Sequence, residues 1–145
     1  MNFHSGYITK NQKNGKTIFT FGSNLSGIHG KGSALTARKH WGAIYGRGSG
    51  HQGHSYAIPT KDQKLKTLPL KDIQYYVEQF IELATTNPDL KYLVVRIGCM
   101  LAGYKDEQIA PMFKDASDNV YLPPEWKPYL QPEKVGINLM SDLIG

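Results

Sequence analysis

"IFTFGSNLSGIHGKGSALTARKH", residues Ile18 to His40, opens as a strand and closes as a helix, and the loop between them decides how the chain is read. β-branched and aromatic residues follow one another from Lys16 to Gly22, which predicts a first strand. Ser33 is placed to cap a helix, "SALTARKHW" forms its body, and Gly42 stops it after Trp41. The connection carries four glycines, Gly22, Gly27, Gly30 and Gly32. A plain strand-to-helix link needs only about two to six residues. Bare peptide N–H groups beside the positive end of a helix dipole suit a phosphate or pyrophosphate. Within this loop there is neither G-x-x-x-x-G-K-[ST] nor G-x-G-x-x-G with its later acidic residue, so it is neither of those phosphate motifs.

Outward from this stretch, "AIYGRGSGHQGHS" is a second glycine-rich loop and "SYAIPT", from Ser55, a short strand ended by Pro59. Leu70, Ile73, Tyr76, Val77, Phe80, Ile81 and Ala84 recur at helical spacing and predict a helix over Leu70 to Thr86. "KYLVVRIG" is apolar on both faces, as a central parallel strand is. It runs into a third loop, Gly98 to Tyr104, "GCMLAGY". "KDEQIAPMFKDA" reads as a helix that Pro111 kinks or delays, and "NVYLP" as a last strand. The tail from Pro123 is proline-rich. This alternation predicts an α/β fold with a mostly parallel sheet and one domain over residues 1–145, its core at about 16–123. Ligands of open α/β sheets bind beyond the carboxyl ends of the strands, so the first and third loops face one crevice.

The bulk properties agree with a folded domain: 145 residues, 40% hydrophobic and 20% charged. Nine of the 15 glycines fall between Gly22 and Gly53, a cluster that calls for backbone approach to a ligand or for turns of positive φ. The polar N-terminus has no signal-peptide core, no stretch is long and apolar enough for a membrane span, and Cys99 is the sole cysteine. An intracellular, reducing location is expected: cytoplasmic, and the host cytoplasm if a phage encodes the chain. The net charge of +5 suits an anionic partner, but the basic residues are scattered without a block of like charge. A nucleic acid is therefore admitted as a partner and not favoured; a membrane is not expected, and oligomeric state is left open.

Three segments together resemble the macro-domain family: "GSNLSGIHGKGSAL", "HSYAIPT" and "VRIGCMLAGY", in order and at similar spacing over roughly Thr17 to Val120. The resemblance is to compact, divergent members of the kind met in bacteria and their phages. It implies a three-layer α/β/α module that binds ADP-ribose or a related NAD-derived nucleotide diphosphate and, in some members, hydrolyses an ADP-ribosyl linkage. Asn24 matches the asparagine that contacts the distal ribose. Gly30 and Gly32 match the glycine run that passes the ribose and phosphates. Gly98, Leu101, Ala102, Gly103 and Tyr104 match the phosphate loop, with the Tyr104 ring beside the distal ribose. Met100 stands where the family has its second glycine. The acidic reader of the adenine amino group has no counterpart, since "NGKTIFTFGSN" holds no Asp or Glu.

The ligand set expected from both lines is Gly22, Ser23, Asn24, Gly27, His29, Gly30, Lys31, Gly32 and Ser33 from the first loop, with Gly98, Cys99, Met100, Leu101, Ala102, Gly103 and Tyr104 from the third. Asn24 could instead hold loop backbone. His29, between two glycines, is expected to be exposed. His51 and His54 in "HQGH" are candidates for proton transfer alongside Asn24 if the protein is an enzyme. They lack the further ligands that a metal needs, so neither a metal nor a cofactor is expected. Asp62 is read as a turn cap, Asp106 and Glu107 as a helix start, and Cys99 as a buried small hydrophobe rather than a nucleophile. The rival readings are a non-enzymatic sponge or sensor for an ADP-ribose-like signal, as a phage would use against a host defence, and a nucleic-acid-binding module.

Overall fold

A computed structural model describes residues 1–131. At its centre is β2, Thr17–Asn24, two residues longer at its carboxyl end than the sequence predicts. Side chains alternate across it: Phe19 and Phe21 point to one face and Ile18 to the other, each into a buried cluster. β4, Ser55–Lys61, does the same with Ala57 on one side and Tyr56 and Ile58 on the other. Burial on both faces is why these strands read as nearly continuous apolar runs.

Among the described residues, six strands form one sheet in the order β1-β6-β5-β2-β4-β3. β5 is Lys91–Val94 and β6 is Val120–Leu122, both parallel to their neighbours. Two strands went unread in the sequence. β1 is Asn2–Phe3, paired in parallel with β6, and β3 is Gly50–Gln52, paired antiparallel with β4. At two and three residues, neither is long enough to show a period. β5 also ends before the "RIG" of the predicted strand: the Ile97 N–H turns back to the Val95 carbonyl (2.7 Å), and Gly98 takes φ +78°.

α1, Gly32–His40, covers one face through Ala34 and Ala37, and Phe19 stacks on Trp41 with ring centroids 5.2 Å apart. It starts at Gly32, with Lys31 in the cap position and no side-chain cap, so Ser33 does not play the part expected of it. α2, Leu70–Thr86, covers the other face through Ile73, Val77, Phe80 and Ala84, all fully buried. α3, Asp106–Ile109, tightens into a 3-10 turn at Ala110–Phe113, where Pro111 removes a helical donor. The proline-rich stretch is more ordered than its sequence suggests. A 3-10 turn at Pro124–Trp126 leads into α4, Lys127–Leu130, and Trp126 is fully buried against Phe113 at 5.0 Å. The apolar core therefore extends past residue 123; the remainder of the tail, 132–145, lies outside the described residues.

Candidate functional site

β2, β4 and β5 run parallel, so their carboxyl ends share one edge. There, a crevice of about 550 Å³ opens between the first and third glycine loops, a volume ordinary for a small-molecule site. Gly22, Ser23, Asn24, Gly30, Lys31, Gly32 and Ser33 line it from the β2–α1 side, and Gly98, Met100, Leu101 and Ala102 from the loop after β5. The two loops come together at Leu101, whose Cδ1 would lie 3.5 Å from a Cβ on Gly32.

The start of α1 is the strongest anion-binding feature. Among the described residues no side chain caps it, so the N–H groups of its first turn are left for a ligand, and Gly32, Ser33 and Ala34 all border the crevice. Lys31, Lys61 and Arg96 also line it, and among the described residues no carboxylate does. The sequence reading missed Ile28, Ala34, Thr60, Lys61, Leu65, Val95, Arg96 and Ile97. A visible signal existed for two of them: Lys61 directly follows the apolar run of β4, and Arg96 is a lone charge inside "LVVRIG".

Arg96 is held from behind. Its Nε and Nη2 donate to the two carboxylate oxygens of Asp106 at 3.1 and 2.7 Å, and Trp126 Nε1 donates to the same carboxylate at 2.8 Å. The Arg96 hydrogen bond, then the Trp126 bond, hold the Asp106 carboxyl below its usual range despite partial burial. Asp106 is thus the partner that orients Arg96 and more than a helix start. Cys99 sits beside this pair. Burial first, then Asp106, pushes its thiol up to about 12, so it stays protonated and inert, as a packing residue does.

The low Asp106 pKa sets a sign for stability. The carboxylate contributes stability above its unfolded value near 3.8, and that contribution drains as pH falls through the lower folded value. Urea midpoints measured from pH 6 to pH 2 should therefore fall more steeply for the parent chain than for Asp106→Asn. Equal slopes would mean that the pair does not couple to folding.

Several expected residues stand elsewhere. Asn24 is buried, and its amide is engaged: Nδ2 donates to the Ile28 carbonyl (2.8 Å) and Oδ1 accepts from the Ile28 N–H (3.0 Å). It borders the crevice while holding the loop closed. His29 is not exposed; it is fully buried, edge-on to Phe21, with Nε2 within reach of the Arg47 carbonyl (3.1 Å) and Gln52 Oε1 (3.3 Å). Gly27 is buried against Arg47, and Tyr104 packs on the core while its hydroxyl donates to the Leu68 carbonyl at 2.7 Å. Cys99, Gly103 and Tyr104 are not among the crevice-lining residues. Asp62 is the turn cap that was expected, accepting from the Lys64 and Lys66 N–H groups.

His51 and His54 are not with Asn24. β3 runs antiparallel to β4, so His51 pairs with Tyr56 near the amino end of that strand, whereas the crevice lies beyond Thr60 and Lys61. Five residues of strand separate the two places, roughly 16 Å. The second glycine loop serves the first by packing on it. Ser23 Oγ donates to the Gly48 carbonyl, the Gly46 N–H donates to Gly27 O at 3.0 Å, and buried Gln52 ties Ile44 and Arg47 together.

Structural comparison aligns the chain with Thermosipho africanus DarTG in complex with ADP-ribose, at TM-score 0.57 and 18% identity, over 81% of this chain and 41% of that one. It also aligns with the macrodomain of Mycobacterium tuberculosis DarG, at TM-score 0.57 and 16% identity, over 84% of this chain and 97% of that one. The fold is that of a macrodomain. The chain spans well under half of the DarTG polypeptide and nearly all of the isolated DarG macrodomain. No family profile matches the sequence, and no curated protein matches it significantly. At this level of identity the likeness carries the macrodomain architecture, and the chemistry of the crevice has to be argued from its own residues.

Proposed function

We propose that the crevice binds ADP-ribose or a related NAD-derived nucleotide diphosphate. The observation that supports this most is the uncapped start of α1 opening, with Lys31, onto the same crevice as Lys61, Arg96 and the loop after β5. A diphosphate carries two negative charges at short spacing, and this lining offers backbone donors, Lys31 and Lys61, which take part in no ion pair among the described residues, and Arg96, oriented by Asp106 from behind. Ile28, Leu65, Met100 and Leu101, all substantially exposed, supply apolar surface for a base or sugar face. Thermosipho africanus DarTG, which shares the fold, was solved with ADP-ribose. The missing acidic reader leaves the base to be set by Ile28, Thr60 and Leu65 rather than by a carboxylate.

Binding without turnover, the sponge or sensor, fits better than the expected histidine chemistry, because neither imidazole reaches the crevice. The Ser23 and Thr60 hydroxyls already donate to backbone carbonyls. The test is calorimetric titration with ADP-ribose, using Gly30→Val as the control. A Cβ on Gly30 would meet only Ile28, at 3.7 Å, and Gly30 does not have positive φ, so the fold tolerates the change while the crevice loses depth. Micromolar binding lost by at least ten-fold, at unchanged thermal midpoint, is the expected result. Absence of binding to the parent chain would remove the proposal.

A further inference from the structure

The cations look scattered in sequence, but the sign of charge divides by position. Residues 1–61 hold eight Lys or Arg and no Asp or Glu; all 12 carboxylates of the chain begin at Asp62. The fold turns this division into a surface. α1 and the loop that follows it come wholly from the carboxylate-free part, whereas α2 and α3 on the other face carry Asp72, Glu78, Glu82, Asp106 and Glu107. At the end of α1 away from the crevice, Arg38, Lys39 and His40 occupy the last turn, and all three are exposed. Arg38 lies over the ring of Tyr45, 5.7 Å from its centroid, and that ring is 64% exposed. Arg47, also exposed, lies two residues beyond Tyr45 and donates to the His51 carbonyl of the edge strand β3 at 3.2 Å. Among the described residues, none of the Lys or Arg side chains of 1–61 takes part in an ion pair. Exposed cations left without carboxylate neighbours, with an exposed aromatic ring among them, fit a phosphate backbone whose bases stack on the ring.

We infer that the face formed by Arg38, Lys39, Tyr45 and Arg47 binds single-stranded nucleic acid, at a place distinct from the crevice. A single strand is favoured over a duplex because the exposed Tyr45 ring, with Arg38 over one face and exposed Ile44 beside it in sequence, suits an unpaired base, and over a protein partner because residues 1–61 offer charge of one sign. The inference does not depend on what fills the crevice.

The test is fluorescence anisotropy of the full chain with labelled oligo(dT) and oligo(U), about 20 nucleotides long, longer than a single-fold site needs. Binding should weaken linearly on a log–log salt plot. Arg38→Glu with Lys39→Glu should weaken it by at least ten-fold at low salt and flatten the slope by about 1.4, roughly 0.7 for each cation removed. Tyr45→Ala should cost about ten-fold with the slope unchanged, because stacking releases no counterions. Lys114→Glu, an exposed cation just beyond α3, should leave affinity within two-fold or so, the usual reach of a remote surface charge. Neither patch variant should alter a crevice titration with ADP-ribose. No binding to either oligonucleotide at low salt, an equal loss in Lys114→Glu, or binding to phosphatidylserine vesicles in place of oligonucleotides would overturn the inference.

Discussion

Gly48→Ala is expected to destabilise the protein by about 3 kcal/mol, the upper range for overpacking a close-fitted interior. A Cβ there would lie 2.1 Å from the Asn24 carbonyl oxygen and 2.9 Å from Leu25 backbone atoms, distances at which the backbone has to move. Gly48 does not have positive φ, so the cost is steric and not conformational. Its carbonyl also accepts from Ser23, so any shift of Gly48 displaces the residues that border the crevice. Urea unfolding should register the loss, and ADP-ribose affinity should fall with it because Asn24 and Ile28 sit on the displaced segment. Gly15→Ala, where a Cβ meets nothing within 4 Å, is the matched control and should change stability by no more than about 0.5 kcal/mol. Equal effects at the two positions would refute the close docking of the two loops.

Trp126→Ala should cost about 3–5 kcal/mol, the usual range for truncating a fully buried aromatic ring. Two losses combine. The ring leaves a void beside Phe113, and Asp106 loses the indole N–H that helps hold it against Arg96. Trp126→Phe separates them, because it keeps most of the ring and removes the donor. It should cost nearer 1.5 kcal/mol, about the lower end for a hydrogen bond to a charged acceptor. A Trp126→Ala variant as stable as the parent would show that residues 124–130 do not belong to the folded unit.

The main elements were legible because they carry strong local signals. α2 shows an unbroken apolar stripe, β2 and β4 are apolar on both faces, and the two loops that follow β2 and β5 had to lie at one edge once the sheet was parallel. The glycine cluster was legible as a sign of close backbone approach, but not its object. Gly22, Gly30 and Gly32 border the crevice, while Gly27, Gly42, Gly48 and Gly53 let one loop lie against another. Composition is the same in both cases, and tertiary contact alone distinguishes them. The histidine reading failed for a related reason. A three-residue antiparallel strand reverses the chain and carries His51 to the opposite edge, and nothing in "GHQ" announces that reversal. His29 was placed outside because Gly27 and Gly30 lie close on either side of it, yet the imidazole turns inward and packs edge-on to Phe21.

The pairing of β1 with β6 has a kinetic consequence. Asn2 and Phe3 hydrogen-bond beside Tyr121 and Leu122, and the Met1 amino group meets Asp118 across 117 positions of sequence. During synthesis Asn2 and Phe3 must wait for more than a hundred further residues before their partners exist. β2 waits similarly for β5. Such long-range parallel pairing makes closure of the sheet a late event, and unpaired strand edges stay open to other chains until then. Refolding yield should therefore fall as protein concentration rises, and β1 should be the last strand to gain protection in a pulse-labelled hydrogen-exchange experiment.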